Sequence, residues 1–206
     1  MKIDVNFRIV LFTILICFLY KINIYFIFLI CILLHEIAHM VVGVCLGLKI
    51  KRIRFNPFGL CLEFISFKEK KKTIKKIIIN LSGPVLNFVL AIIVSYLNIE
   101  YKLKVDFFYT NLLLGIFNLL PINPLDGGKV LKEISSIKYG YKNANVYSMN
   151  ISKILLIFIS LSYSILIFKI KNVFLFFIIV YLWYLQLLEE KKLKTLVRVY
   201  NIIDNI

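Results

Sequence analysis

Histidine is the scarcest chemistry-bearing residue in this 206-residue chain: there are two, and both fall in one short stretch, His35-Glu36-Ile37-Ala38-His39. Cysteine is nearly as sparse. Cys17, Cys31, Cys45 and Cys61 show no paired spacing, which excludes a disulfide framework, and three of them lie inside apolar runs where cysteine behaves as a small hydrophobe. Charge is scarce as well, at 18% of residues, and acidic charge scarcest, with 11 Asp and Glu against 26 Lys and Arg. A net charge of +15 would suit a nucleic-acid partner, but the basic residues stand between long apolar runs and not on one folded face, so no groove-binding stripe is expected. No small-residue cleavage site follows residues 1–8, so no removable signal peptide is expected. What is abundant is hydrocarbon. With 61% hydrophobic residues spread evenly along the chain, the composition excludes an ordinary water-soluble domain and predicts an all-α polytopic membrane protein.

The histidine stretch carries the chemistry. His35 and His39 are four apart, so on a helix they share a face and can point ring nitrogens at one ion, with Glu36 beside them. This is the H-E-x-x-H pattern, in which two histidines hold zinc and the glutamate serves as general base toward water. A core histidine with satisfied hydrogen bonds would explain one such residue, but not a pair plus a glutamate inside an apolar run. Cys31, one turn before His35, offers a further donor or a packing residue, and packing is the plainer expectation.

Six spans are expected, near residues 5–20, 22–48, 77–97, 107–120, 151–170 and 173–188, each judged against the roughly 20 apolar residues that a crossing needs. The first is short, and Arg8 and Lys21 must snorkel at its ends. Between the second and third, residues 49–67 alternate apolar and basic around Asn56-Pro57-Phe58-Gly59, which predicts a cytoplasmic β-hairpin or a re-entrant loop. The lysine-rich residues 68–76 that follow read as a solvated patch drawn to anionic lipid. Ser82-Gly83-Pro84 loosens the third span. The fourth breaks at Pro121-Ile122-Asn123-Pro124-Leu125-Asp126-Gly127-Gly128, because two prolines and two glycines forbid a smooth helix. Asp126 is the candidate third ligand, since catalytic zinc keeps three protein ligands and an open position. Equally, a lone carboxylate there caps a helix over residues 127–134, a reading compatible with ligation. The fifth span begins after a basic connection over residues 129–153, and the sixth ends in interfacial aromatics, Tyr181, Trp183 and Tyr184, ahead of a short amphipathic tail.

Six spans put both ends on one side. That side collects 21 of the basic residues and the other only five, which predicts cytoplasmic termini. The expected organisation is one intramembrane domain over residues 1–188 and a cytoplasmic tail over residues 189–206.

Three motifs together, His35-Glu36-Ile37-Ala38-His39, Gly83-Pro84-Val85-Leu86-Asn87 and Asn123-Pro124-Leu125-Asp126-Gly127, resemble the signature set of the site-2 protease family of intramembrane zinc metalloproteases. The likeness is strongest to its sporulation branch, through Lys51-Arg52, Asn56-Pro57-Phe58-Gly59, Phe117-Asn118-Leu119-Leu120-Pro121 and Pro124-Leu125-Asp126-Gly127-Gly128-Lys129. The resemblance implies one Zn2+ per chain held by His35, His39 and Asp126, Glu36 as catalytic acid/base, Asn118 and Pro121 as substrate-binding residues, and Asn87 as a support. It implies hydrolysis of a peptide bond in or near the membrane segment of a membrane-associated substrate, such as a pro-sigma factor in sporulation. Regulator proteins and the lipid bilayer are the further partners, and the place is a bacterial cell membrane, the mother-cell membrane around the forespore in the sporulation case. The branch commonly carries a nucleotide-sensing CBS domain after the sixth span, and none is expected here. The rival is a non-proteolytic metal-binding scaffold or transporter, which needs ligands but no acid/base, so Glu36 distinguishes the two.

Overall fold

The computed structural model describes residues 2–5, 22–48, 50–56, 59–64, 72–170 and 173–203. Their elements run β1 (Lys2–Val5), α1 (Ile22–Cys45), β2 (Ile50–Asn56), β3 (Gly59–Phe64), α2 (Lys72–Tyr96), α3 (Tyr101–Leu119), α4 (Asp126–Ile170) and α5 (Val173–Ile203). They fall into two compact units, Met1–Asn118 and Leu119–Ile206. Of the expected first span, residue 5 ends β1 and the rest lies outside the described residues.

In the first unit the buried positions of α1 are Ile27, Cys31, His35, His39 and Gly43, each four residues from the last, so they form one narrow stripe. On α2 the matching stripe is Ile79, Gly83, Asn87 and Ala91, with Pro84 beside it. Between these lines α1 points Phe26, Ile30, Leu33, Ile37, Val41 and Val44 outward. Such a surface suits hydrocarbon and would be a liability in water. The helix is thus inverted relative to a soluble one, because its few polar groups lie on the protein-facing stripe. Gly115 lets α3 approach α2 closely, since a Cβ there would stand 3.0 Å from the Phe88 ring. α2 continues through Pro84, whose ring forfeits one helical hydrogen bond without ending the helix.

The strands form one sheet in the order β1-β2-β3. β2 and β3 pair antiparallel with Asn56 opposite Gly59, the hairpin alternative for this stretch; its tip, residues 57–58, is not among the described residues. β1 adds to β2 in parallel, Lys2 opposite Arg52 and Val5 opposite Phe55, a pairing not expected from the sequence. Four residues are too few to show a period, and a parallel partner 50 positions away leaves no local mark.

The second unit opens with the broken segment. Residues 120–125 are non-helical and turn on themselves, the Ile122 and Leu125 amides donating to the Leu120 and Ile122 carbonyls at 2.7 and 2.8 Å. The return is tight enough that a Cβ on Gly127 would fall on the Leu119 carbonyl oxygen, and one on Gly128 would stand 2.5 Å from the Ile122 backbone. α4 then starts at Asp126 and runs to Ile170 across a kink at Gly140, whose φ of 73° and ψ of 161° belong to a region essentially confined to glycine. Residues 129–153, expected as a basic connection apart from the helix over residues 127–134 that the capping reading allows, are therefore helical. Charge marks solvent or interface, not the absence of a helix, and lysine and glutamate are good helix formers. The expected sixth span and amphipathic tail likewise form one 31-residue helix, α5. α5 is tied to α4 by Gln186 Nε2 donating to the Met149 carbonyl at 3.1 Å, Trp183 Nε1 donating to Ser160 Oγ at 3.0 Å, and the Lys153–Glu190 ion pair at 2.9 Å. Trp183, expected as an interfacial aromatic, is thus bonded to a neighbouring helix.

Among the described residues five helices are present, and three segments are long and apolar enough to cross a membrane: Phe26–Cys45, Thr73–Tyr96 and Asp126–Ile165.

Candidate metal centre

The buried stripe of α1 brings His35 and His39 together with their Nε2 atoms 3.1 Å apart and their rings nearly perpendicular, at 85°. Both side chains are almost wholly buried, at 3% and 7% exposure. What fixes them comes from α2. His39 Nδ1 lies 2.6 Å from the Ile79 carbonyl, which can only accept, so that nitrogen carries the hydrogen and Nε2 carries the lone pair. Ser82 Oγ, 2.7 Å from the same carbonyl, donates to it, and sits 3.3 Å from His39 Nδ1 as a second acceptor.

His35 is held differently. Asn87 Nδ2 is 3.0 Å from its Nδ1, and Asn87 Oδ1 is buried with no hydrogen-bond partner among the described residues. As drawn, Asn87 donates to Nδ1, His35 Nε2–H donates to His39 Nε2, and His39 Nδ1–H donates to Ile79, a chain in which every ring proton is used. A metal ligand at His35 Nε2 requires the opposite tautomer, with the hydrogen on Nδ1. A half-turn of the Asn87 amide then presents Oδ1 as its acceptor, so the orphaned oxygen is the atom that a loaded site would use.

Gly83 completes this half-site. A Cβ on it would stand 2.5 Å from His39 Nε2 and 2.7 Å from His35 Nε2. The space against both ring nitrogens is therefore left open only because residue 83 has no side chain. The residues fit a divalent ion with nitrogen ligands: two convergent imidazoles, oriented at Nδ1 and facing a cradle of suitable size.

Glu36 follows His35 on the neighbouring face of α1 and is half-buried. Asp126 belongs to the second unit, where it is the first residue of α4, 5% exposed, with Lys129 Nζ 2.8 Å from its Oδ1. Asn118 closes the first unit, its amide donating to the Leu114 carbonyl at 3.1 Å, and Pro121 offers its carbonyl to Ser152 Oγ at 3.3 Å. Cys31 is buried and takes a hydrogen bond from Asn111 Nδ2 at 3.2 Å, so it packs toward protein and not lipid. Ser82 and the Ile79 carbonyl had no signal in the sequence, since a serine or a backbone oxygen becomes a histidine partner only when two helices align. Gly83 did have one: it is four residues before Asn87, on the same face.

The sequence matches Peptidase family M50 over residues 23–102 and 101–161, which contain the histidine pair, the α2 residues that orient it, and Asp126. It is 31% identical over 157 residues to a zinc metalloprotease of Methanocaldococcus jannaschii, covering 71% of this chain and 45% of that protein. It is 27% identical over 128 residues to stage IV sporulation protein FB of Bacillus subtilis, covering 60% of this chain and 44% of that one. The chain thus spans less than half the length of these curated relatives. Among solved structures, the site-2 protease from Methanocaldococcus jannaschii aligns with a TM-score of 0.68 at 26% identity, over 91% of this chain and 89% of that chain. With the family's match running through both histidines and the helix that orients them, this chain belongs to peptidase family M50.

Proposed function

We propose that this protein is an intramembrane zinc metalloprotease of the site-2 type, with His35, His39 and Asp126 holding one zinc ion and Glu36 acting as the catalytic acid/base. The observation that carries this is the convergence of two buried imidazoles over Gly83, each with its outer nitrogen held by α2, next to a glutamate. The family and its zinc metalloprotease relative in Methanocaldococcus jannaschii point the same way. Asp126 suits the third position because it is a buried carboxylate at a helix start, with Lys129 beside it.

When bound, zinc supplies Lewis-acid polarisation of the scissile carbonyl and makes water acidic enough to attack near neutral pH. Glu36 takes the proton from that water and returns it to the leaving amine. Its place on α1 next to His35, only half-buried, suits both tasks. A helical substrate hides its carbonyls, so the segment cut must first be extended; Asn118 and Pro121 are the residues we assign to hold it there.

The substrate class we assign is a membrane-associated protein, and the motif resemblance makes an inactive transcription-factor precursor such as a pro-sigma factor its first candidate. Residues 1–188 form the protease domain in six spans and residues 189–206 a cytoplasmic tail, with both termini in the cytoplasm as the charge split requires.

The test is coexpression with membrane-tethered transcription-factor precursors, followed by purification and metal analysis of the wild type and of Glu36→Gln. The variant should keep its zinc while cleavage falls by about 100-fold or more, the usual worth of a positioned acid/base. Equal cleavage by the two proteins, or a wild type that holds no zinc, would sink the assignment.

A further inference from the structure

The second unit contains a buried polar network that the proposed chemistry does not use. α4 carries Ser148 and Ser152 on one face beyond its Gly140 kink, 1% and 0% exposed, and both face the broken segment. Each hydroxyl donates first to its own helix: Ser148 Oγ to the Asn145 carbonyl at 3.2 Å, and Ser152 Oγ to the Ser148 carbonyl at 2.8 Å. Their lone pairs are thereby turned outward. Ser152 Oγ accepts the Asn123 backbone N–H at 2.9 Å, and Ser148 Oγ accepts the Asn123 side-chain amide at 3.2 Å. The Ser152 hydroxyl hydrogen is shared with the Pro121 carbonyl, the longer branch at 3.3 Å, so the turn is held on both sides of Ile122, which is itself fully buried.

We propose that Ser148 and Ser152 are positioning residues for the metal centre: they clamp residues 121–123 and so fix where the Asp126 carboxylate stands at the start of α4. The proposal rests on the assignment of Asp126 as a ligand. Its logic is mechanical. Residues 120–125 have no regular secondary structure, and their internal hydrogen bonds are two short turns. A segment of this kind holds a ligand in place only if something rigid holds it, and helix α4 does so through two oxygens spaced one turn apart. Asn123 has a backbone N–H and an amide to satisfy in a site that is 7% exposed, and neither can turn to water if the hydroxyls are lost.

The experiment measures zinc affinity of the purified full chain by competition with a chromophoric chelator, and the visible spectrum after cobalt(II) substitution. Four variants are compared with the wild type: Ser152→Ala, Ser152→Thr, Asp126→Ala and Ser152→Ala with Asp126→Ala. Loss of an outer-shell orienter typically costs on the order of 10-fold to 100-fold in metal affinity, so Ser152→Ala should weaken zinc by at least about 10-fold and shift the cobalt bands. Ser152→Thr, which keeps the hydroxyl, should restore most of both. In the Asp126→Ala background the serine change should cost nothing further, because the serine acts through the carboxylate. If Asp126→Ala weakens zinc and Ser152→Ala does not, the clamp is wrong and the ligand assignment stands. If Asp126→Ala leaves affinity unchanged, the ligand assignment falls and the clamp with it. If the two changes are additive, Ser152 supports the fold alone and the proposal is overturned.

Discussion

At the scale of single residues, the absence of a side chain at position 83 and the amide at position 87 set different limits on the centre. A Cβ at residue 83 would stand closer to His39 Nε2 and His35 Nε2 than ordinary van der Waals contact allows, in the space that an ion must share. Gly83→Ala is therefore expected to abolish stoichiometric zinc while leaving the helical content measured by circular dichroism unchanged; full zinc in the variant would show that the ion lies elsewhere. Asn87 makes a finer demand, for an acceptor at His35 Nδ1 once the ring is a ligand. Asn87→Asp supplies one outright and should hold zinc at least as tightly as the wild type, whereas Asn87→Leu should weaken it by about 10-fold or more. A chelator competition titration separates these outcomes, and equal loss in both variants would assign Asn87 to packing alone. That the two histidines share one helix face was legible in the sequence because i, i+4 spacing is a property of any helix. Its orienting groups were legible only where the family resemblance reached, at Asn87, since nothing local to Ser82 or Ile79 says which helix will lie beside them.

Among the elements, α4 and α5 offer a test by pH. The Lys153 ammonium, hydrogen-bonding to Glu190 across the two helices, holds that carboxyl below its ordinary range, with Lys194 adding to the effect. A carboxylate with a depressed folded-state pKa contributes stability that is present above its unfolded value, about 4.3 for glutamate, and lost as pH falls through the folded value. Thermal unfolding in detergent should therefore show wild type above Glu190→Gln at pH 7, with the gap closing as pH drops below about 4. A gap that widens on acidification would reverse the sign and exclude the pair as its source. The same elements show where reading by hydropathy stops. Residues 129–153 looked like a connection because they carry five lysines, yet helix formation asks only for compatible backbone angles and tolerates lysine well. The kink at Gly140 was equally silent, because an isolated glycine in a helical stretch marks an ending, a packing contact or a bend with the same letter.

For the whole molecule the testable quantity is topology. The basic residues divide 21 to five across the six-span arrangement, and short cytoplasmic connections attract them. Reporter fusions after Lys72 and after Ile206 should read as cytoplasmic, and one near Lys102 as external. An external reading after Lys72 would overturn the six-span arrangement. Composition determined the bilayer setting by itself, because 61% hydrophobic residues in evenly spread runs leave no other solvent for the outward faces of α1 and α2. Spacing determined the histidine pair and the broken segment, since helical periodicity and the backbone limits of proline and glycine act over a few residues and need no partner. Only the tertiary structure decided what each of these meets: that Gly83 faces both ring nitrogens, that the Ile79 carbonyl sets the tautomer of His39, that β1 joins β2, and that two serines beyond a kink grip the turn before Asp126. These contacts join residues that are 25 to 50 positions apart, and no local pattern in the chain encodes which faces will be pressed together.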